Sequence, residues 1–197
     1  FALENYLDQL AAFPQTVWVS EDILLDLADS QTPQGIVAVV QKEEVEQTDF
    51  SQGKFLFLED VQDPGNVGTI IRTADAAGFT GVIVSEKSAD IYSLKTLRSM
   101  QGSHFHLPIY RMSSQALLKE TKEAGIPVLA TTLSKDSVDY RELPPIENFV
   151  LVMGNEGQGI SPLMAESADQ LVHISMKGQA ESLNVAIAAG ILIFHLS

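Results

Sequence analysis

The chain has 197 residues, of which 45% are hydrophobic and 19% charged, so it can bury a sizeable core and is not predicted to be disordered. It contains no cysteine, which excludes a disulfide framework, thiolate catalysis and cysteine-ligated zinc. Its net charge of −14 argues against non-specific binding to nucleic acid, which requires clustered lysine and arginine.

The acidic excess is concentrated at the start of the chain. Residues 1–52 hold ten acidic side chains and one basic side chain, whereas residues 53–197 hold sixteen and eleven. The first residue is Phe rather than Met, so we expect a trimmed chain. No signal-peptide pattern is present, and the longest strongly apolar stretch, Leu183 to Leu196, is too short to span a bilayer. We therefore expect a cytoplasmic protein that does not contact a membrane.

The first 40 residues carry only a few structural signals. Short strands are predicted at Gln15–Ser20 and Gly35–Val40, around a helix at Glu21–Ala28. These elements are too few for a separate core, so residues 1–40 are interpreted as the remnant of a domain. The polar and acidic stretch 41–53 is predicted to be a linker.

Residues 54–197 alternate between apolar runs of strand length and helix-like segments. The runs lack helical spacing, as expected for strands buried on both faces, and lie at Phe55–Leu58, Gly81–Val84, Val128–Thr131, Phe149–Met153 and Leu171–Ile174. Helices are predicted at Val67–Ala77, Ser113–Ala124 and Ser182–Leu196. This alternation predicts an α/β fold with a mostly parallel sheet, whose ligands lie at the carboxyl ends of the strands. The last helix is apolar nearly all round, so it must pack centrally or against another subunit.

The first segment that could carry chemistry runs from Glu59 to Phe79. It follows a strand, turns through Asp63-Pro64-Gly65 and opens a helix with Asn66 as the expected cap. An ordinary strand–turn–helix junction explains the proline and glycines but not Arg72, near the start of the helix. The segment matches neither the Walker A loop nor the dinucleotide-binding glycine pattern.

Two further segments have the same strand-to-loop character. Val150–Pro162 runs from a buried strand into a loop with three glycines, which let a ligand approach the backbone closely. Between these glycines lie Asn155 and Glu156, which a purely structural loop does not need. Leu171–Asn184 ends a strand and leads to the terminal helix, with Ser182 as the expected cap and Asn184 as a polar residue that needs a partner.

Taken in order, these segments resemble a known family. DPGNVGTIIRTADAAGF, MGNEGQGISP and HISMKGQAESLNVAIAAG are similar to the signature motifs of the SpoU-type (TrmH) 2′-O-ribose RNA methyltransferases of the SPOUT superfamily. The resemblance covers residues 54–197. It implies a Rossmann-like parallel sheet flanked by helices with a C-terminal trefoil knot, assembled as a homodimer. Residues 1–40 resemble the latter part of an L30e-like α/β RNA-binding domain.

The resemblance also implies the site. Arg72 corresponds to the catalytic arginine, which would stabilise the developing alkoxide while a phosphate or water takes the proton. Asn66 would position substrate and Glu156 would orient Arg72 or the partner loop, while Ser182 and Asn184 would complete a polar wall. S-adenosylmethionine would contact a second set of residues: Leu133, Gly154, Ile174 and Leu183. No metal is required.

The expected substrate is RNA, with ribosomal RNA favoured over tRNA because of the L30e-like remnant. Lys95 and Arg98 are candidates for phosphate contacts, although a solvated helix face explains them equally well. His104 and His106 are expected to alternate along a strand and, without a carboxylate, are a weak metal site. Two other interpretations remain open: a non-catalytic RNA-binding or ribosome-assembly module of the same fold, and a nicotinamide- or nucleotide-binding α/β enzyme.

Overall fold

The computed structural model describes residues 2–28, 32–42 and 49–197, and the chain divides into two compact units, residues 1–44 and 45–197. The first unit contains α1 (Ala2–Ala11) and α2 (Glu21–Leu27). The second of these confirms the predicted helix at Glu21–Ala28, one residue shorter. No helix in the described ranges is long and apolar enough to cross a membrane.

The strands predicted at Gln15–Ser20 and Gly35–Val40 are wrong, because neither 2–28 nor 32–42 contains a strand. A strand needs a neighbour for its N–H and C=O groups, and these segments have none within the described ranges. Their apolar side chains remain exposed, Val39 to 99%.

The predicted linker 41–53 is only partly open to comparison, because residues 43–48 lie outside the described residues. At its end, Phe50 is buried and its ring centroid lies 5.0 Å from that of Phe55. Phe50 therefore packs in the second unit, while Ser51 and Gln52 are exposed, and the linker stays a prediction.

The second unit is built on one parallel sheet. Among the described residues its strands are β1 (Lys54–Leu58), β2 (Gly81–Val84), β3 (Ile109–Arg111), β4 (Val128–Thr131), β5 (Val138–Asp139), β6 (Phe149–Met153) and β7 (Gln170–His173). Their order across the sheet is β3-β2-β1-β6-β4-β7-β5, and every neighbouring pair is parallel. The helices of this unit are α3 (Pro64–Ala76), α4 (Leu94–Met100), α5 (Ser114–Ala124), α6 (Pro162–Ser167) and α7 (Val185–Leu196). The predicted α/β architecture is confirmed.

Both faces of the sheet are covered, as the continuous apolar runs predicted. Alternate side chains of β1, such as Leu56 and Leu58, join a core shared with α3, α4 and α7. The intervening Phe55 and Phe57 join a second core with α5 and α6. Covering both faces leaves the carboxyl ends of the strands as the accessible rim of the sheet.

In the second unit, two strands were not predicted and one predicted strand is wrong. β3 and β5 are three and two residues long, too short to give an apolar run. The strand expected through His104 and His106 is instead a 3₁₀ turn over Ser103–Phe105. The two histidines therefore do not alternate: the Nδ1 atom of His106 lies 3.3 Å from Oδ2 of Asp75, while the ring of His104 lies against Phe105. Within the described ranges no group of three or more metal-binding side chains is assembled.

Gly68 sets the close approach of α3 to α4. A Cβ atom at this position would lie 2.5 Å from Cβ of Ser99 and 2.6 Å from the carbonyl oxygen of Thr96. We expect Gly68→Ala to lower the free energy of unfolding by about 1–3 kcal/mol through overpacking. The matched control is Gly190→Ala in α7, where the nearest atom is 4.0 Å away and helix propensity favours alanine. Denaturant unfolding measures both, and equal stability of the two variants would contradict this account.

Candidate active site

The turn between β1 and α3 lies at the point where the strand order of the sheet reverses. β1 and β6 are neighbours, but the chain continues from β1 to β2 toward one edge of the sheet and from β6 to β7 toward the other edge. A ligand crevice is expected at such a point, outside the carboxyl ends of the two strands. The loops that follow β1 and β6 are the first and second motif segments of the sequence.

Asp63, not Asn66, caps α3. The Oδ1 atom of Asp63 accepts a hydrogen bond of 2.9 Å from the Asn66 N–H, and Pro64 occupies the first helical position. The cap expected at Asn66 is therefore wrong, because proline starts the helix two residues earlier. As a result, the side chain of Asn66 is released from capping and can contact other loops.

Asn66 joins the three motif segments through its side chain. Its Nδ2 atom donates to Oε1 of Glu156 at 3.1 Å, and its Oδ1 atom accepts from Nδ2 of Asn184 at 3.1 Å. Glu156 also accepts from the backbone N–H groups of Gln62 (3.2 Å) and Asp63 (3.1 Å). Residues 90 to 118 positions apart in sequence therefore bond to each other in one polar cluster.

Asn184 also caps α7, a role that the sequence assigned to Ser182. Its Oδ1 atom accepts from the backbone N–H groups of Ala186 (2.9 Å) and Ile187 (3.3 Å), and the helix begins at Val185. A cap must directly precede the first helical residue, so the expectation for Ser182 is wrong. Asn184 has the partners that its polarity required, and Ser182 lines the neighbouring cavity.

Glu156 is held in its charged form by this arrangement. Burial raises the pKa of its carboxyl group, but hydrogen bonds from the Asn66 side chain and from backbone N–H groups outweigh burial, so the pKa lies below its ordinary value. A carboxyl group whose pKa is lowered in the folded protein stabilises it at pH values above the ordinary pKa of that group. This stabilisation is lost as the pH falls through the lowered pKa.

We therefore expect Glu156→Gln to destabilise the protein at pH 7, with the difference from the parent protein shrinking toward pH 3. The charged carboxylate gives the parent its advantage, and acid removes that charge. Denaturant unfolding at both pH values measures the two differences. A difference that stays constant with pH would show that the carboxylate charge is not what holds the loop.

A cavity of about 390 Å³ lies beside the polar cluster, at the carboxyl ends of β4, β6 and β7. Glu156 and Ser182 line this cavity. It is also lined by all four residues that were expected to contact S-adenosylmethionine, which are Leu133, Gly154, Ile174 and Leu183. Sequence reasoning did not single out other wall residues, notably Thr132, Val172 and Met176. Thr132 directly follows β4, Val172 lies in β7, and Met176 lies in the loop after β7. These positions relative to the strands were the signal that could have found them.

The wall at Gly154 is closed to any larger residue. A Cβ atom there would collide with the backbone of Gly159 and Ile160, including the Gly159 carbonyl oxygen at 2.6 Å. The loop returns on itself through paired hydrogen bonds between Asn155 and Gly159, and Nδ2 of Asn155 donates to the Asp60 carbonyl oxygen at 2.8 Å. A ligand in the cavity would thus meet backbone at this wall.

Arg72 lies on α3 and is exposed, outside the set of residues that line the cavity. Among the described residues, none forms a hydrogen bond or ion pair with its guanidinium. In particular, Glu156 binds Asn66 and the β1–α3 turn and does not orient Arg72, which was one of the two roles expected for it.

The two expected phosphate contacts lie on α4. Lys95 forms an ion pair with Asp63, with Nζ 2.8 Å from Oδ2, and 64% of its side chain remains exposed. This ion pair lowers the pKa of Asp63, helped by the backbone N–H of Asn66. Arg98 is exposed in the last turn of the same helix. Lys95 therefore lies directly beside the capped start of α3.

Comparison with known proteins places these features in context. A family model described as the SpoU rRNA Methylase family matches residues 53–194. The chain is 43% identical over 182 residues to the 23S rRNA (guanosine(2553)-2′-O)-methyltransferase RlmP of Bacillus subtilis (strain 168), covering 92% of this chain and 72% of that protein.

Two solved structures are similar over nearly the whole chain. The AdoMet-bound rRNA methyltransferase from Sinorhizobium meliloti has a TM-score of 0.81 at 35% identity, covering 98% of this chain and 76% of that one. The SpoU methyltransferase AviRb from Streptomyces viridochromogenes has a TM-score of 0.84 at 30% identity, covering 98% and 77%.

Proposed function

The chain belongs to the SpoU rRNA methylase family, and we propose that it transfers a methyl group from S-adenosylmethionine to a ribose 2′-hydroxyl of RNA. The observation that carries this proposal is the junction of the three motif segments. Glu156, Asn66 and Asn184 form one hydrogen-bonded chain at the edge of a cavity. This pairing of a ligand-sized cavity with an ordered polar cluster is typical of an enzyme site.

The cavity fits the methyl donor. Its volume of about 390 Å³ falls in the range of small-molecule sites. Leu133, Ile174 and Leu183 supply apolar lining for a nucleoside, while Gly154 leaves backbone exposed to the cavity. These residues would hold S-adenosylmethionine by apolar contact and backbone hydrogen bonds.

The chain's own residues account for the other requirements of the reaction. When bound, S-adenosylmethionine supplies an electrophilic methyl group on a sulfonium that leaves as a neutral thioether. A guanidinium does not act as a base in proteins, so the role of Arg72 is to stabilise negative charge on the ribose oxygen as the proton passes to a phosphate oxygen or water. Asn66, fixed by Glu156 and Asn184, positions the substrate, and Ser182 completes the polar wall.

Ribosomal RNA is the proposed substrate, which would place the protein in the cytoplasm. The name of the Bacillus subtilis relative, a 23S rRNA methyltransferase, supports this choice. We also infer that residues 1–40 are part of an L30e-like RNA-binding domain. Because the net charge is −14, RNA contact by this chain must be local, through Arg72, Lys95 and Arg98.

Donor labelled in its methyl group, incubated with ribosomal RNA or tRNA, tests the substrate. We expect label in ribosomal RNA and little in tRNA. Label in tRNA alone would make tRNA the substrate. No transfer to either RNA, with S-adenosylhomocysteine still bound in calorimetry, would favour a non-catalytic RNA-binding or ribosome-assembly module. Binding of NAD in its place would favour the nicotinamide-dependent interpretation.

The C-terminal trefoil knot is part of the proposal. The connection from β5 to β6 runs along α7: the ring of Tyr140 lies 4.8 Å from that of His195, and Leu143 and Ile146 pack on the core that α7 joins. α7 in turn packs on α3. These contacts support a path in which the C-terminal segment threads through the loop between β4 and β6.

We also propose a homodimer formed through α7. Ile187 and Phe194 lie seven positions apart on this helix, with 57% and 59% of their surface exposed, and Ile191 between them is half-buried. Such an apolar helical stripe is expected to be covered by a partner. Ile187→Asp is expected to convert a dimer to a monomer in sedimentation equilibrium, while Glu123→Ala, at an exposed position of α5, leaves it a dimer. A monomeric parent protein would contradict the dimer.

A further inference from the structure

Glu59 is a buried carboxylate to which the proposed mechanism gives no role. It directly follows β1 and is 3% exposed. Among the described residues, no lysine, arginine or histidine forms an ion pair with it. Burying an unpaired carboxylate is costly unless several hydrogen bonds compensate, and an apolar side chain of similar size would avoid that cost. A group of this kind needs a physical reason.

Three hydrogen bonds to Glu59 provide that reason. Its Oε2 atom accepts from the Ser161 N–H at 2.8 Å, and its Oε1 atom accepts from the hydroxyls of Ser161 (2.8 Å) and Ser114 (2.6 Å). Ser161 caps α6, and Ser114 is the first residue of α5. Bonds to a charged acceptor are stronger than neutral ones, so the carboxylate ties the end of β1 firmly to both helix starts.

Glu59 holds both ends of the loop that joins β6 to α6, residues 154–160. The backbone N–H of Glu59 donates to the carbonyl oxygen of Met153 at 2.9 Å, just before this loop, and the carboxylate holds Ser161 just after it. In between, Asn155 donates to the carbonyl oxygen of Asp60, whose backbone takes the left-handed conformation with φ of 59°. Both ends of the loop are therefore anchored to Glu59.

We propose that Glu59 is a positioning residue for methyl transfer, acting through the loop 154–160. By fixing both ends of this loop, it sets the position of Gly154 in the cavity wall and of Glu156 against Asn66. Glu59 itself touches neither the cavity nor the polar cluster. The inference rests on the proposed methyl transfer, but the anchoring of the loop can be measured without it.

Glu59→Gln is the decisive variant, because it keeps the shape and removes the charge. The amide has one acceptor oxygen for three donors, so the bonds to Ser161 weaken. We expect kcat/KM to fall about 10-fold and amide hydrogen exchange in residues 155–161 to accelerate about 10-fold, at temperatures where the variant is fully folded. A purely structural role would lower the melting temperature without changing kcat/KM of the folded enzyme.

Ser161→Ala and Ser114→Ala each remove one hydroxyl bond to the same Oε1 atom, and Ser161→Ala also removes the cap of α6, so kcat/KM is compared at temperatures where both variants are fully folded. Only Ser161 adjoins the loop. We expect Ser161→Ala to lower kcat/KM about 3-fold and Ser114→Ala to leave it within about 2-fold. Equal losses from the two variants would overturn the proposal, as would an unchanged kcat/KM in Glu59→Gln.

The two proposals fail in different ways. If the parent protein transfers no methyl group to any RNA, the proposed function fails, and hydrogen exchange then decides whether Glu59 anchors the loop. Faster exchange of residues 155–161 in Glu59→Gln supports the anchoring, whereas unchanged exchange overturns it. If the parent is active and Glu59→Gln matches it in both measurements, only the inference about Glu59 fails.

Discussion

Replacing Arg72 by alanine is expected to slow methyl transfer by about 10²–10³-fold while leaving donor binding within a few-fold. The guanidinium lies outside the cavity lining, so the donor does not depend on it. It is exposed and without a hydrogen-bonded or ion-paired partner among the described residues, so it can meet the ribose oxygen and the neighbouring phosphate. Loss of a positive group that stabilises a developing anion typically costs on the order of 10²–10³-fold in kcat.

Single-turnover transfer and calorimetry with S-adenosylhomocysteine measure these two effects separately. Lys122→Ala on α5 is the charge-matched control, because Lys122 lies in the last turn of α5, just before β4 begins, and not at the carboxyl ends of the strands. Arg72→Lys keeps the charge without the planar fork and should recover part of the rate. A donor affinity lowered more than about 10-fold in Arg72→Ala would place this residue in the donor site instead.

Gly154→Ala is expected to weaken donor binding strongly and, with it, to lower activity. The added Cβ atom would overlap the backbone of Gly159 and Ile160, which cannot yield as a flexible side chain can. The loop must therefore shift, and with it both the cavity wall and Glu156. We expect the donor dissociation constant to rise about 100-fold, equivalent to about 2.7 kcal/mol.

Gly178→Ala provides the control for this substitution. A Cβ atom at Gly178 meets nothing within 4 Å, and its backbone does not require glycine. Calorimetry with S-adenosylhomocysteine should therefore give the parent affinity for Gly178→Ala. Parent-like binding by Gly154→Ala would mean that the loop tolerates displacement and that its close return is not needed to hold the donor.

Strong local signals explain why much of the second unit could be predicted. The runs at Phe55–Leu58 and Phe149–Met153 are apolar throughout because both faces of the sheet are covered, and the structure has strands there. The helix predicted at Ser113–Ala124 is α5, with Ser113 as its cap. Where burial or capping is local, the sequence pattern is sufficient.

Contacts across the sheet could not be read in the same way. Asn66 and Ser182 were each predicted to be a helix cap, but in both cases the cap is a residue two or three positions away. The sequence pattern does not fix the first residue of a helix to within one or two positions. The bonds that join Asn66 to Glu156 and Asn184 depend on the order of strands in the sheet, which sequence spacing does not contain. The role of Glu59 could not be predicted because its hydrogen-bond partners, Ser114 and Ser161, are distant in sequence.

The position of the transferred methyl group tests the account most directly. RNA methylated with labelled donor can be digested to nucleosides and separated by chromatography coupled to mass spectrometry. Because Asn66 is proposed to position the ribose and Arg72 to stabilise its alkoxide, we expect all label in a 2′-O-methylnucleoside. Label on a base, with the ribose unmodified, would contradict the proposed chemistry of this site.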